Sequence, residues 1–235
     1  EEVITNIDED FKSQLETCRR CSIDQVRLIS ECFYEPFGDE KIHYIQRPQD
    51  KEHNLDLKVD SSIIFLDIGN ENKSKMNNGS SYNPESAKLI PQILKGLDQF
   101  DKVKDYEVGV ITGYTAQLRE INKEVRKAFR REKLNNIRLN SNQVAISVVD
   151  RFQGLEKDII IFDLVRSQQN TLGFLANANR INVALSRQKK LLIIVGNYEW
   201  LLSAKSPKTS EKAALQEYLR KLKPNWIVKN INQIF

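Results

Sequence analysis

From residue 61 onward the chain keeps changing its hydrophobic period. Short, near-continuous runs of Val, Ile and Leu alternate with stretches whose apolar residues recur every three or four positions. Runs of the first kind suit strands buried on both faces; stretches of the second kind suit the helices that cover them. Residues 61–68, 106–112, 143–149, 158–165 and 190–196 read as strands. Helices are predicted over 83–97, with Asn83 as N-cap and Pro84 in the first turn, and over 115–134, with Thr115 as N-cap. Two more are predicted over 177–188 and 210–222, the latter capped by Ser210. Pro91 is expected to kink or break its helix. The alternation predicts an α/β fold, a mostly parallel sheet flanked by helices.

The first sixty residues read differently. A helix is predicted over 20–34, followed by a polar, irregular stretch, and residues 69–83 (GNENKSKMNNGSSYN) read as a low-complexity surface loop. The simplest partition is an N-terminal extension over 1–60 and one α/β domain over 61–235, without internal repeats. Hydrophobic residues make up 40% of the chain and charged ones 29%, which excludes disordered and fibrous classes. No apolar run approaches the roughly 20 residues of a membrane helix, so no membrane partner is expected. The acidic start, EEVITNIDEDF, shows no secretory signal. A cytoplasmic location is expected, or a nuclear one in a eukaryote. The first residue is Glu1, not Met, so a piece of a longer protein is expected. The net charge of +4 is too slight to name a partner; its distribution matters more.

Three cysteines, Cys18, Cys21 and Cys32, cannot all pair with one another. Cys18 and Cys21 form a CxxC, half of a zinc site or a redox pair. No second CxxC follows, and His43 and His53 are the only histidines, so no metal site is assigned and reduced thiols are expected.

Open parallel sheets bind ligands beyond the carboxyl ends of their strands. Three segments there are rich in polar groups. Thr112, Gly113 and Tyr114, with Gln117, could hold a phosphate and stack a base, or simply turn the chain into a helix. In SVVDRFQGLEKD (147–158), Gly154 would allow close backbone approach and Glu156 could accept from a ribose; a solvated turn is the competing reading. In ANRINVALSRQKK (178–190), Arg180 and Arg187 lie seven apart, two helical turns, and could face a phosphate from one side of a helix. A basic helix surface is the plainer alternative.

Taken together these segments resemble motifs IV, V and VI of superfamily 1 helicases, in the branch of the nonsense-mediated-decay RNA helicase and its DNA replication helicase/nuclease relatives. VGVITGYTAQ (108–117) is similar to motif IV, SVVDRFQGLEKDIIIFDLVRS (147–167) to motif V, and FLANANRINVALSRQKKLLIIVGN (174–197) to motif VI. LETCRRC (15–21), followed by Phe33 and Tyr34, resembles the short motif that opens the family's second half. The resemblance implies a RecA-like, P-loop NTPase-type fold, with ATP and Mg²⁺ bound between two such halves. This chain resembles the second half alone: it has no GxxxxGK[ST] and no DExx pair. An N-terminal RecA-like half of the same protein is therefore an implied partner, and the isolated chain is expected not to hydrolyse ATP.

The resemblance also implies roles. Arg187 is similar to the motif VI arginine that reaches the γ-phosphate, and Glu156 to the motif V acid at the nucleotide, with Gln153 and Gly154 beside it. Arg20 resembles the phosphate-facing arginine of the opening motif. The family often has Gln-Tyr-Arg there, whereas this chain has Cys18, Arg19 and Arg20. Arg19 could stack on a base in place of the missing aromatic. Arg180 either contacts nucleotide or pins its helix. Thr112, Tyr114 and Ser147 would contact the backbone of single-stranded nucleic acid, RNA or DNA, without reading bases. Two other classes stay open: a helicase-like binding or regulatory module with a degenerate ATPase, and an unrelated nucleotide-binding enzyme such as a methyltransferase. The latter calls for a Gly-rich turn after the first strand, where GNENKS stands instead.

Overall fold

The computed structural model describes residues 17–18, 20–37, 43–44, 53–130, 133–139, 143–205 and 213–235. In chain order, β1 (Thr17–Cys18) precedes α1 (Ile23–Ile29), whose last turn widens through Ser30–Tyr34. β2 (His43–Tyr44) pairs in parallel with β1. Then come β3 (Ile63–Asp67), β4 (Lys75–Asn77), β5 (Ser80–Tyr82), α2 (Pro84–Leu97), β6 (Val108–Thr112) and α3 (Thr115–Ala128). β7 (Val144–Val148), β8 (Lys157–Asp163), α4 (Ala178–Leu185), β9 (Gln188–Gly196) and α5 (Tyr198–Ser203) follow. α6 (Ala214–Arg220) and β10 (Ile227–Val228) complete the fold.

Six strands form one all-parallel sheet in the order β10–β3–β9–β8–β6–β7. Residues 63–66 of β3, 159–162 of β8 and 191–195 of β9 are at most 2% exposed, so both faces of the central strands are covered. Ile90, Ile93 and Leu94 of α2 and Ile181, Ala184 and Leu185 of α4 are each fully buried, as helices covering a parallel sheet must be. Leu28, Ile29, Cys32 and Phe33 join the same apolar core. The α/β sheet expected from the alternating pattern, and the RecA-like fold that the resemblance implies, are what the chain adopts.

Several local expectations need correction. Pro91 lies inside α2, which runs unbroken from Pro84 to Leu97. Proline forfeits one backbone bond there, but the neighbouring isoleucines press the helix onto the sheet and hold it. The stretch 69–83 is not a plain loop: β4 and β5 form a hairpin turning on Asn78-Gly79, both at positive φ. Ser74 and Ser167 exchange backbone-to-hydroxyl hydrogen bonds of 3.0 Å that fasten it. Thr115 does not cap α3. Tyr114 occupies the cap position, and Ser80 of the hairpin accepts from Ala116 N at 3.0 Å instead. α3 ends at Ala128, six residues short of expectation. Ser210 lies outside the described residues.

Candidate functional site

Strand register brings one group of charges together. Lys157 and Gln188, the first residues of β8 and β9, are paired, and Lys157 N donates to Arg187 O at 3.0 Å. Glu156 and Arg187 immediately precede them, so both lie on the amino edge of the sheet. α4 runs back across the sheet and ends at that edge, leaving its last carbonyls without helical partners. Side chains take them up. Arg187 Nε donates to Val183 O at 3.0 Å, Gln25 Nε2 to Leu185 O at 2.6 Å, and Arg20 Nη1 to Ser186 O at 3.0 Å. Buried Gln25 is held in turn by the Tyr218 hydroxyl at 2.6 Å.

Glu156 sits among these cations. Arg20 Nε is 2.6 Å from one carboxylate oxygen and Lys189 Nζ is 3.1 Å from the other. Arg187 Nη1 reaches the Leu155 carbonyl of the same turn at 3.5 Å. Two cations thus pair with one carboxylate and a third, Arg187, holds the turn beside it; all four side chains are only partly buried. Burial alone would raise the Glu156 carboxyl, but hydrogen bonds from Arg20 and Lys189 outweigh it and hold it below its ordinary value. Burial, then the like charge of Arg20, lowers Arg187. The cluster keeps a surplus of positive charge on an open rim, an environment that suits a multiply charged anion. Gly154 makes the turn possible: its φ is +84°, and no atom lies within 4 Å of where a Cβ would be.

The carboxyl edge is built differently. Asp163, at the end of β8, is fully buried and accepts from Gln117 Nε2 at 2.5 Å, Ser86 Oγ at 3.0 Å and Val165 N at 3.0 Å. Asn83 caps α2 through its side chain, donates its N–H to Gln117 Oε1 at 2.7 Å, and reaches the Val165 carbonyl at 3.3 Å. This network ties α2, α3 and β8 together.

The expected site residues divide between the two edges. Arg20, Glu156 and Arg187 meet on the amino edge, although the search by strand ends pointed to the carboxyl edge. Lys189 belongs with them and was missed; its place two residues beyond Arg187 in an extended segment was the available signal. Gln153 and Gly154 are exposed in the Glu156 turn. Arg180 and Arg187 do not share a helix face, because α4 stops at Leu185. Arg180 is at the helix's other end, paired with Asp150 at 3.2 Å and lying 5.4 Å over the Phe174 ring. Thr112 is fully buried at the end of β6, its hydroxyl without a hydrogen-bond partner among the described residues. Tyr114 is 8% exposed, packed 5.6 Å from Phe174. Burial pushes its hydroxyl up to about 12, against the pull of Arg166. Ser147 is half-buried in β7. Arg19 lies outside the described residues. Among the described residues no group of three or more His, Cys, Asp or Glu is placed to hold a metal, and no helix is long and apolar enough to cross a membrane.

A family model described as an AAA domain matches residues 2–199. The DNA polymerase alpha-associated DNA helicase A of Saccharomyces cerevisiae is 37% identical over 124 residues, 52% of this chain and 16% of that protein. Helicase sen1 of Schizosaccharomyces pombe is 34% identical over 175 residues, 73% of this chain and 10% of that protein. The regulator of nonsense transcripts 1 homolog of Neurospora crassa is 37% identical over 141 residues, 57% of this chain and 12% of that protein. The chain therefore spans less than a fifth of the length of each of these three relatives.

Proposed function

The chain belongs to the superfamily 1 helicases of the nonsense-mediated-decay type, within the AAA-domain family, and from that premise we propose that it is the second RecA-like half of an ATP-driven nucleic-acid translocase. Residues 61–235 form that half and residues 1–60 an extension that carries Arg20 to it. The other half supplies the phosphate loop and the Mg²⁺ ligands, so this chain alone releases no phosphate from ATP.

The observation that supports this reading most is the pinning of Arg187. Hydrogen bonds from Nε to Val183 O and from Nη1 to Leu155 O fix the guanidinium, which is only partly buried beside Glu156, Arg20 and Lys189. A guanidinium held that way is oriented before an anion arrives, so little freedom is lost on binding. ATP supplies a γ-phosphoryl group whose transfer spreads negative charge over its equatorial oxygens. Arg187 stabilises that charge as the cleft between the halves closes, and Arg20 and Lys189 neutralise the neighbouring phosphates. Glu156 positions both of them and orients the bound nucleotide; Gln153, Gly154 and Leu155 form its open turn. Arg180 pins α4 through Asp150 instead of touching nucleotide.

The carboxyl edge is assigned to the single strand of RNA or DNA. Ser147 lies partly open there, and Thr112 and Tyr114 shape the surface from beneath. Contacts of this kind grip a backbone in any sequence, as a translocating motor requires.

The test is Arg187→Ala in the polypeptide that carries both halves. Hydrolysis should slow by about 10³-fold or more, with nucleotide affinity and thermal stability little changed. Undiminished hydrolysis would remove Arg187 from the mechanism and favour a degenerate, regulatory module.

A further inference from the structure

The CxxC of the opening segment takes no part in the mechanism above, yet it adjoins the cationic cluster. Cys18 is partly exposed and stands three positions before Cys21 in the segment that carries Arg20. Buried Cys21 is in contact with the end of α4: its sulfur lies 3.3 Å from Gln188 O and 3.8 Å from Ser186 O. Ser186 O is also the carbonyl that receives Arg20 Nη1. Cys21 and the Arg20 anchor thus meet at the same carbonyl.

We propose that Cys18 and Cys21 are a peroxide-reactive thiol pair whose disulfide draws Cys21 off the end of α4 and takes Arg20 out of the cluster. The consequence for hydrolysis rests on the nucleotide reading above; the thiol chemistry does not. Cys18 is the attacking sulfur. It is the partly exposed member of the pair, and the neighbouring Cys21 thiol, with nearby backbone N–H groups, holds it below the ordinary thiol value. Cys21, buried and raised, is the resolving thiol. Cys18 attacks one oxygen of hydrogen peroxide: an S–O bond forms, the O–O bond breaks, and hydroxide leaves as the sulfur gives up two electrons. The Cys21 sulfur then attacks the Cys18 sulfenic acid. The S–S bond forms, the S–O bond breaks, and the departing hydroxide takes the Cys21 proton as water. Two thiols and one peroxide become one disulfide and two waters. Cys32 is an internal control, because burial pushes its thiol up to about 12.

The chain is treated with equimolar hydrogen peroxide and followed by intact mass and peptide mapping. Cys18 should be consumed at least about tenfold faster than Cys32. The mass should fall by two hydrogens, a Cys18–Cys21 disulfide should be mapped, and dithiothreitol should reverse it. Cys18→Ser should abolish the product. A sulfenic acid on Cys18 that persists without a disulfide, or equal reactivity of Cys32, overturns the pair. In the polypeptide with both halves, oxidation should slow ATP hydrolysis about tenfold or more, dithiothreitol should restore it, and Cys18→Ser should make the rate indifferent to peroxide. A disulfide that leaves the rate unchanged overturns the displacement of Arg20. A reduced protein without hydrolysis overturns the function proposed above, and the mass readout alone then decides the thiol pair.

Discussion

Asp163 and Glu156 are carboxylates at opposite ends of the same strand, and their surroundings push them in opposite directions. Asp163 is sealed at the carboxyl edge, where complete burial raises it to about 6 despite three hydrogen bonds that pull it down. Glu156 is open at the amino edge, where Arg20 and Lys189 hold it below its ordinary value. Three neutral donors satisfy the first; two partly exposed cations, with a third nearby, serve the second. A fully satisfied buried network rigidifies a fold, and its own groups have nothing left to offer a ligand. A half-exposed cluster with surplus charge adds little stability and remains free to respond to an anion. The Asp163 network thus clamps the sheet from within, while the Glu156 cluster is chemically available to an anion.

The comparison breaks first at Asp163. Asp163→Ala removes three hydrogen bonds to a buried carboxylate and leaves the Val165 N–H without an acceptor, while Gln117 and Ser86 keep the Asn83 carbonyl, and should cost about 3–5 kcal/mol. At ~2–4 °C per kcal/mol for a chain of this size, a thermal melt should fall by on the order of 10 °C. A loss below about 1 kcal/mol would show that the carboxyl edge is no clamp.

Acidity gives the next largest effect. Because the folded Asp163 lies above its ordinary 3.8, its contribution to stability is fully present below that value and is lost as pH rises through about 6. The full difference is on the order of 3 kcal/mol, taking ~1.4 per unit. Glu156 has the opposite sign: its contribution is present above the ordinary carboxylate value and is lost as pH falls through its depressed folded value. Melts of Asp163→Asn against the parent between pH 4 and 7 isolate the first trend, which should vanish in the variant. An unchanged pH profile would mean that Asp163 does not titrate in that window.

Asn83→Ala should come third, at about 1–2 kcal/mol, the usual cost of losing an N-cap side chain. The side chain also donates to the Val165 carbonyl, and Val165 is a β-branched residue at a φ of +68°. Urea unfolding of the variant gives the number directly.

Strand and helix order could be read from residue 61 onward because buried parallel strands are nearly uniform in Val and Ile. The cation cluster was less legible. Arg20, Glu156 and Arg187 were found through their motifs, whereas their common edge depends on register and on where α4 ends, neither of which a local pattern carries. Arg180 and Arg187 illustrate the failure: a spacing of seven implies one helix face only while the helix lasts, and Ser186 already ends it. The Asn78-Gly79 hairpin was present as a turn signal but was submerged in polar neighbours. Asp163 stood in a strand as one polar residue among isoleucines, and its partners are 46, 77 and 2 residues away. No single-sequence period can join them.

The smallest effect should come from Glu156→Gln, and it sharpens the comparison most. The change keeps the shape of the side chain and removes its charge, so the ion pairs to Arg20 and Lys189 lose their Coulombic part. The Arg20 and Glu156 side chains are 35% and 42% exposed. Pairs of this kind contribute under about 1 kcal/mol, so the melting temperature should move by no more than ~2–4 °C. The same substitution leaves three cations around a neutral amide, and the rim should hold inorganic triphosphate more tightly than in the parent, the more so at low salt. A large loss of stability would make the amino edge a second clamp. A small loss without tighter triphosphate binding would mean that the surplus charge is not directed at an anion, and the contrast between the edges would reduce to burial alone.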